Sequence, residues 1–182
     1  TADGDRIGEL IHSGRWTEVS LTIGNGKDHI TVAVFYGISG ASGGGSDHLL
    51  NERLLTAALA RALAAGDVPY ILLMDANIEK DDSPILGAVI NASMLIDVRT
   101  DRHPNDNPPP TYCLHGISDI LEHGLKGDSS IDHVFANEAA NAMIHNITDR
   151  WDLCHGLDHV PIDIAINADP FQDEVDTARP VI

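Results

Sequence analysis

Four short polar clusters carry the side chains most able to do chemistry: Asp75-Ala-Asn77, Pro110-Thr-Tyr112, Ser130-Ile-Asp132-His133 and Leu157-Asp158-His159-Val-Pro161. Each sits at an end of an expected strand. A carboxylate in that position is also a common helix cap or turn former, and Asp75 taken alone reads more readily that way. Together the clusters offer carboxylates, an amide and an imidazole to one edge of a sheet. Oxygen ligands suit a hard divalent cation such as Mg²⁺ or Mn²⁺, and an imidazole suits phosphoryl oxygens as a proton donor or polariser.

Other polar residues read differently. His133 alternates with Asp132 to the opposite face of its strand and is expected to be a packing or surface histidine. Glu79, two residues beyond Asn77, reads as a solvated loop carboxylate rather than a ligand, and Asp97 as a cap or turn residue. Trp151 is expected to pack at a core or edge. His103, His115, His123 and His155 lie in loops without ligand spacing.

These clusters need elements to position them. β-Branched residues alternate over 17–23 and 29–35 around an Asn25-Gly26 pair, the pattern of a β-hairpin. The second strand ends in Tyr36-Gly37, followed by a Gly/Ser-rich loop over 40–46. This loop lacks the Lys-Ser/Thr of a phosphate-binding Walker loop and reads as a linker. Apolar residues then recur at three- and four-residue steps over 47–65, predicting an amphipathic helix capped by Ser46 or Asp47 and stopped by Gly66. The run 69–74 ends in Asp75 and has the continuous apolar character of a central strand buried on both faces.

A second helix starts at Ser83-Pro84 and reaches about residue 92, a short segment packs back over 94–98, and 102–110 is a polar, proline-rich loop. Strands are expected at 111–114, 131–136, 144–151 and 159–166, with a short helix at 138–143. The stretch 117–127 is ambiguous and allows a small helical excursion. From 169 to 182 the chain reads as an acidic flexible tail.

Composition sets the outer limits. With 182 residues and 43% hydrophobic content the chain can bury a core and is not disordered. Only 4% of residues are aromatic, so Ile, Leu, Val and Ala fill that core. Eleven Lys and Arg against 28 Asp and Glu give a net charge of −17, which excludes nonspecific attraction to nucleic-acid phosphate over the whole surface but leaves a local, cation-filled cleft open. Cys113 and Cys154 are too few for a disulfide framework or a zinc cage, and read as reduced, partly buried thiols. There is no apolar run long enough to cross a membrane. The chain opens on Thr1 without a signal-peptide pattern and reads as a cut inside a longer polypeptide.

In order and spacing, the string 33–36, Met-Asp-Ala-Asn at 74–77, Pro-Thr-Tyr at 110–112, Ser-Ile-Asp-His-Val-Phe at 130–135 and Leu-Asp-His-Val-Pro at 157–161 resembles the endonuclease/exonuclease/phosphatase superfamily. The resemblance covers residues 16–168. It implies an α/β fold, a two-sheet αββα sandwich of the deoxyribonuclease I-like kind, with a partial domain over 1–168 ahead of the tail. It further implies metal-assisted hydrolysis of a phosphate ester. Asp75 would orient or deprotonate the attacking water, and Asn77 would hold that water or a phosphate oxygen. His159, held by Asp132, would donate to the phosphoryl oxygen. Asp158 would lie at the Mg²⁺ or Mn²⁺, and Tyr36 would contact the phosphate.

The chain departs from the family pattern at Met74 and Leu157, where the family has Gly and Ser. It also lacks the family's early strands bearing an Asn and a metal-binding Glu, since Glu9 has no matching context. The resemblance therefore implies the C-terminal two-thirds of the domain, N-terminally truncated, with weakened metal affinity and a bared sheet edge that favours association. Three readings stay open. The first is a nuclease acting on nucleic acid, including a mobile-element endonuclease. The second is a phosphomonoesterase of the same superfamily acting on another phosphate ester. The third is a noncatalytic remnant or interaction module.

Overall fold

The strand that organises the molecule reads Tyr70-Ile71-Leu72-Leu73-Met74-Asp75, and its alternation explains the layers. Tyr70, Leu72 and Met74 point to one side of the sheet and Ile71 to the other, each into its own apolar cluster. A computed structural model of the chain describes residues 2–23, 28–103, 108–113, 129–154 and 157–167.

In chain order the described elements are α1 (Ala2–His12), β1 (Trp16–Ile23), β2 (Asp28–Tyr36), a 3-10 turn (Ala41–Gly43), α2 (Gly45–Leu63), β3 (Tyr70–Asp75), α3 (Pro84–Asn91), β4 (Ile96–Asp97) and α4 (Val98–Arg102). There follow β5 (Asp132–Ala136), α5 (Glu138–Met143), β6 (Ile144–Asp149), a second 3-10 turn (Trp151–Leu153) and β7 (Ile162–Ile166). A five-stranded sheet has the order β1-β2-β3-β5-β4, and β6 pairs with β7 in a second sheet. Every pairing is antiparallel except β2 with β3, which α2 connects as a crossover.

Helices cover one face of the large sheet. Leu54, Leu55, Ala58 and Leu59 of α2, Leu86 and Val89 of α3 and Leu10 of α1 pack on Ala33, Phe35, Leu72 and Phe135. On the other face the small sheet brings Ile147, Ile162 and Ile164 onto Ile71, Val134 and Ala136, with Ala140 and Met143 of α5 between them. This is the two-sheet sandwich expected from the sequence.

Several expectations need correction. Residues 2–12, for which no element was expected, form an amphipathic helix, with Leu10 fully buried against α2. Glu9 sits on that helix and pairs with Arg53 of α2. Helix α2 begins at Gly45 with Gly44 as its cap, so neither Ser46 nor Asp47 serves. No strand forms at 111–113; instead Tyr112 makes isolated bridges to Ser129 and His159. β7 starts only at Ile162, after Pro161, which has no N–H to give a ladder. β6 stops at Asp149 because the chain turns into the 3-10 segment holding Trp151. Residue 114, the hairpin turn 24–27, the stretch 117–127 and the tail 169–182 lie outside the described residues.

The other turns follow local chemistry. Ser83 accepts from the Leu86 N–H (3.2 Å) with Pro84 at the first helical position, as expected. Asp97 caps α4 through the Thr100 N–H and hydroxyl. Arg99 of α4 then locks the two sheets together. Its guanidinium grips both Asp149 oxygens (2.9 and 2.8 Å), the Ser130 hydroxyl (3.1 Å) and the Pro109 carbonyl.

Candidate active site

Strand register gathers the expected site residues. Tyr36 of β2 is paired with Asp75 of β3, and Asp75 with Asp132 of β5, so three of them stand side by side across the sheet. The continuation of β3 is tied to its neighbour by the Ala76 N–H on the Ile131 carbonyl (2.8 Å).

Residues 111–113 form the next rung. The Thr111 hydroxyl accepts from the Asp132 N–H (3.0 Å), and the Thr111 carbonyl accepts from the Val160 N–H (2.8 Å). The Cys113 N–H donates to the Asp158 carbonyl (2.9 Å). A buried threonine thus fastens the segment bearing Asp158 and His159 to the strand bearing Asp132. Behind it Cys113, Cys154 and Val160 form a small buried cluster with Trp151 against it, so Trp151 packs as expected.

His159 Nδ1 donates to Asp132 Oδ2 at 2.9 Å, leaving Nε2 facing Asp75 Oδ2 across 3.9 Å. The Tyr112 ring tilts against the imidazole with centroids 5.0 Å apart. Asn77 adopts a left-handed backbone (φ 52°), donates its N–H to Asp75 Oδ1 (3.1 Å) and its side-chain N–H to the Gly37 carbonyl (3.3 Å). Asn is among the residues that tolerate this conformation. Tyr36 is half exposed, lies under the Arg15 guanidinium (5.2 Å) and reaches Ser39.

Tyr36, Asp75, Asn77, Tyr112, Asp158 and His159 all line one cleft of about 450 Å³. Five of the six residues singled out for a role therefore line this cleft, with Tyr112 beside them, and the sixth, Asp132, stands directly behind His159. Glu79 and Ser39 also line this cleft. Glu79 is not a freely solvated carboxylate, since the Ser130 N–H donates to it (3.4 Å). Its place two residues after Asn77 was the available signal. His133 is buried on the helix side beside Phe135, so the packing alternative holds. Burial lowers its pKa.

The electrostatics follow from crowding. Burial first, then the Asp132 charge, raises the Asp75 carboxyl above its usual range, against the opposing pull of His159 and the Asn77 N–H. For His159, burial pulls the pKa down, but the Asp132 hydrogen bond and the Asp132, Asp75 and Asp158 charges outweigh it, and the net shift is upward. A proton on His159 and a basic carboxylate at Asp75 are both favoured.

Among the described residues, Asp75, Asp132 and His159 form the group whose ligand-type atoms all lie within 4.8 Å of one another. Two of them are committed to each other by the 2.9 Å bond. The carboxylates of Asp75, Asp158, Glu79 and Asp82 line the same cleft, oxygen donors of the kind that fit a hard divalent cation.

Solved structures share this arrangement of elements. The catalytic domain of Xenopus laevis APE2 superposes with a TM-score of 0.66 at 16% identity, over 90% of this chain and 59% of that one. A 3'-5' exonuclease, NExo, from Neisseria meningitidis gives 0.59 at 15% identity, over 86% and 81% of the two chains. An AP endonuclease from Archaeoglobus fulgidus gives 0.61 at 13% identity, over 87% and 82%. This chain has the deoxyribonuclease I-like fold. It is the fold of the endonuclease/exonuclease/phosphatase proteins that the sequence motifs resemble.

This deoxyribonuclease I-like chain spans about three-fifths of the length of the Xenopus domain. No protein-family model matches its sequence, and no curated protein matches it. Among the described residues, no helix is long and apolar enough to cross a membrane.

Proposed function

We propose that this protein is a divalent-metal-dependent phosphoric ester hydrolase, acting as a nuclease on nucleic acid. The observation that carries the reading is the imidazole of His159, braced at 2.9 Å by Asp132 and turned toward Asp75 in a cleft that Asn77, Tyr36 and Asp158 also line. Phosphoryl transfer asks the protein for positioning and charge stabilisation more than for covalent chemistry, and that is what these residues offer.

Asp75, with its raised proton affinity, orients the attacking water and accepts its proton. Asn77 holds that water or a phosphate oxygen. His159 donates from Nε2 to the phosphoryl oxygen, with Asp132 fixing the tautomer through Nδ1. Tyr36 contacts the phosphate. Asp158 would lie at the Mg²⁺ or Mn²⁺, which when bound supplies Lewis-acid polarisation of the phosphate and neutralises its charge.

A second reading, a phosphomonoesterase, has its own support: the Neisseria NExo structure bound to a product DNA hairpin is described as a 3' phosphatase. The acidic surface, at −17, also favours a small or terminal phosphate over bulk duplex. The deciding experiment measures Mg²⁺-dependent hydrolysis of an abasic-site duplex and of a 3'-phosphorylated hairpin side by side. The expected result is cleavage that falls by about 10²–10⁴-fold in His159→Ala. Hydrolysis undiminished in that variant would sink the proposal.

A further inference from the structure

On α2, positions 51, 54, 55, 58, 59 and 62 share one face, and five of them are the Leu and Ala residues that cover the large sheet. The sixth is Asn51, fully buried at 0% exposure. A primary amide in an apolar layer is costly unless both of its ends are bonded. Here both are: the Ile38 N–H donates to Asn51 Oδ1 at 2.7 Å, and Asn51 Nδ2 donates to the Ala76 carbonyl at 3.0 Å.

Those partners sit where the β2–β3 ladder stops. The last register pair is Tyr36 with Asp75, followed by the Gly37 N–H on the Asp75 carbonyl at 2.6 Å. The Asn51 amide then continues the ladder by one more rung, made by a side chain. Only glycine fits at 37, since an added Cβ would collide with the Ala76 carbonyl and stand 2.9 Å from Asn51 Oδ1.

The Ala76 carbonyl and the Asn77 N–H belong to the same planar peptide unit. Asn51 grips this unit at its oxygen, and its N–H in turn holds Asp75 Oδ1 at 3.1 Å. Rotation of that plane would remove the carboxylate's donor and swing Asn77 out of its left-handed conformation.

We infer that Asn51 is a positioning residue for the Asp75–Asn77 pair, acting through the 76–77 peptide; the inference rests on the hydrolase reading above for its kinetic consequence. It touches no reacting atom and acts through Asp75 and Asn77, so its removal lowers kcat more than it raises KM.

The test uses the intact chain with Asn51→Asp, which keeps the acceptor for Ile38 and sets an oxygen against the Ala76 carbonyl, and Asn51→Leu, which removes both bonds at similar volume. Leu59→Ala, one of the apolar contacts of the same helix face, is the comparison for a purely structural loss. Expected for Asn51→Asp and Asn51→Leu, below their melting temperatures, is a kcat about 10–100-fold lower with KM within about threefold, as small misplacements of catalytic groups give. Amide hydrogen exchange at Ile38 and Asn77, read by NMR, accelerates in both Asn51 variants and not in Leu59→Ala. Unchanged exchange at those amides overturns the inference. So does an equal fall of kcat in Leu59→Ala, or loss of cooperative folding in both Asn51 variants, which would make Asn51 a stability residue alone. A wild-type chain that hydrolyses nothing defeats the hydrolase reading, while the exchange data still decide whether Asn51 holds the 76–77 peptide.

Discussion

The two faces of the five-stranded sheet are closed to different extents. The helix face is sealed from β2 to β5, where Phe35, Leu72 and Phe135 are all buried under α2 and α3. The opposite face is sealed over β3, β5 and the start of β2, where Ile71, Val134 and Ile30 are each at 2% exposure in one apolar cluster with the small sheet and α5. Over most of β1 and the later part of β2 the same face leaves Val19, Leu21 and Val34 at 46, 50 and 47%. Asp75 and Asp132, with His159 delivered from the approach to β7, all belong to the doubly covered half. The side chains that must be held to a fraction of an ångström stand where packing constrains the backbone from both sides. Tyr36 alone extends to the open half.

The sharpest way to break this comparison is at the imidazole. Asp132→Asn keeps the shape of the residue behind His159 but removes its charge, so the expected loss of kcat is about 10²–10⁴-fold. The same variant lowers the His159 pKa toward the ordinary histidine value, measured by NMR titration of the ring protons. In the wild type the folded-state pKa is raised, so the stabilisation by protonated His159 is fully present below the unfolded value of about 6.5 and is lost as pH rises through the folded value. A His159 titration unmoved by Asp132→Asn would mean that the brace does not tune the imidazole.

The next test compares stability across the two halves. Arg99→Met leaves Asp149 and the Pro109 carbonyl without their partner between the sheets, with an expected loss of about 3–5 kcal/mol in urea unfolding. Leu72→Ala in the doubly covered strand is expected to cost about 2–5 kcal/mol. Leu21→Thr on the open face should change stability by no more than about 0.5 kcal/mol. Equal costs at Leu72 and Leu21 would erase the distinction between the faces.

Much of this was legible in the sequence because the signals were local. Alternation gave the β1–β2 hairpin, the apolar run ending at Asp75 gave β3, and the ordered motifs gave the six cleft residues together with Asp132. What was missed depends on partners distant in the chain. Helix α1 has Ile7, Leu10 and Ile11 at helical spacing, but it is short, and its burial comes from α2. The segment 111–113 has strand composition, yet its hydrogen bonds go to two different neighbours and no ladder forms. Asn51 and Arg99 carry no local mark of their roles. Asn51 breaks an apolar helix face for bonds 13 and 25 residues away, and Arg99 reaches 50 residues on to Asp149.

The smallest effect per residue, and the one that most sharpens the comparison, concerns the open face itself. Among the described residues β1 is an edge strand with no neighbour on its outer side, and Val19, Leu21 and Val34 present apolar side chains beside it, the combination that templates association. Replacing all three by Thr puts a β-branched, strand-compatible residue at each position while reducing the apolar surface. Light scattering across a concentration series is expected to show the wild-type mass rising with concentration and the triple variant staying at the monomer value. The cleft lies mostly on the other half, so kcat of the triple variant should remain within about twofold of wild type. A wild-type chain that stays monomeric at every concentration would show that exposed apolar area on this sheet is not enough to drive association, and that the two halves differ in coverage without differing in behaviour.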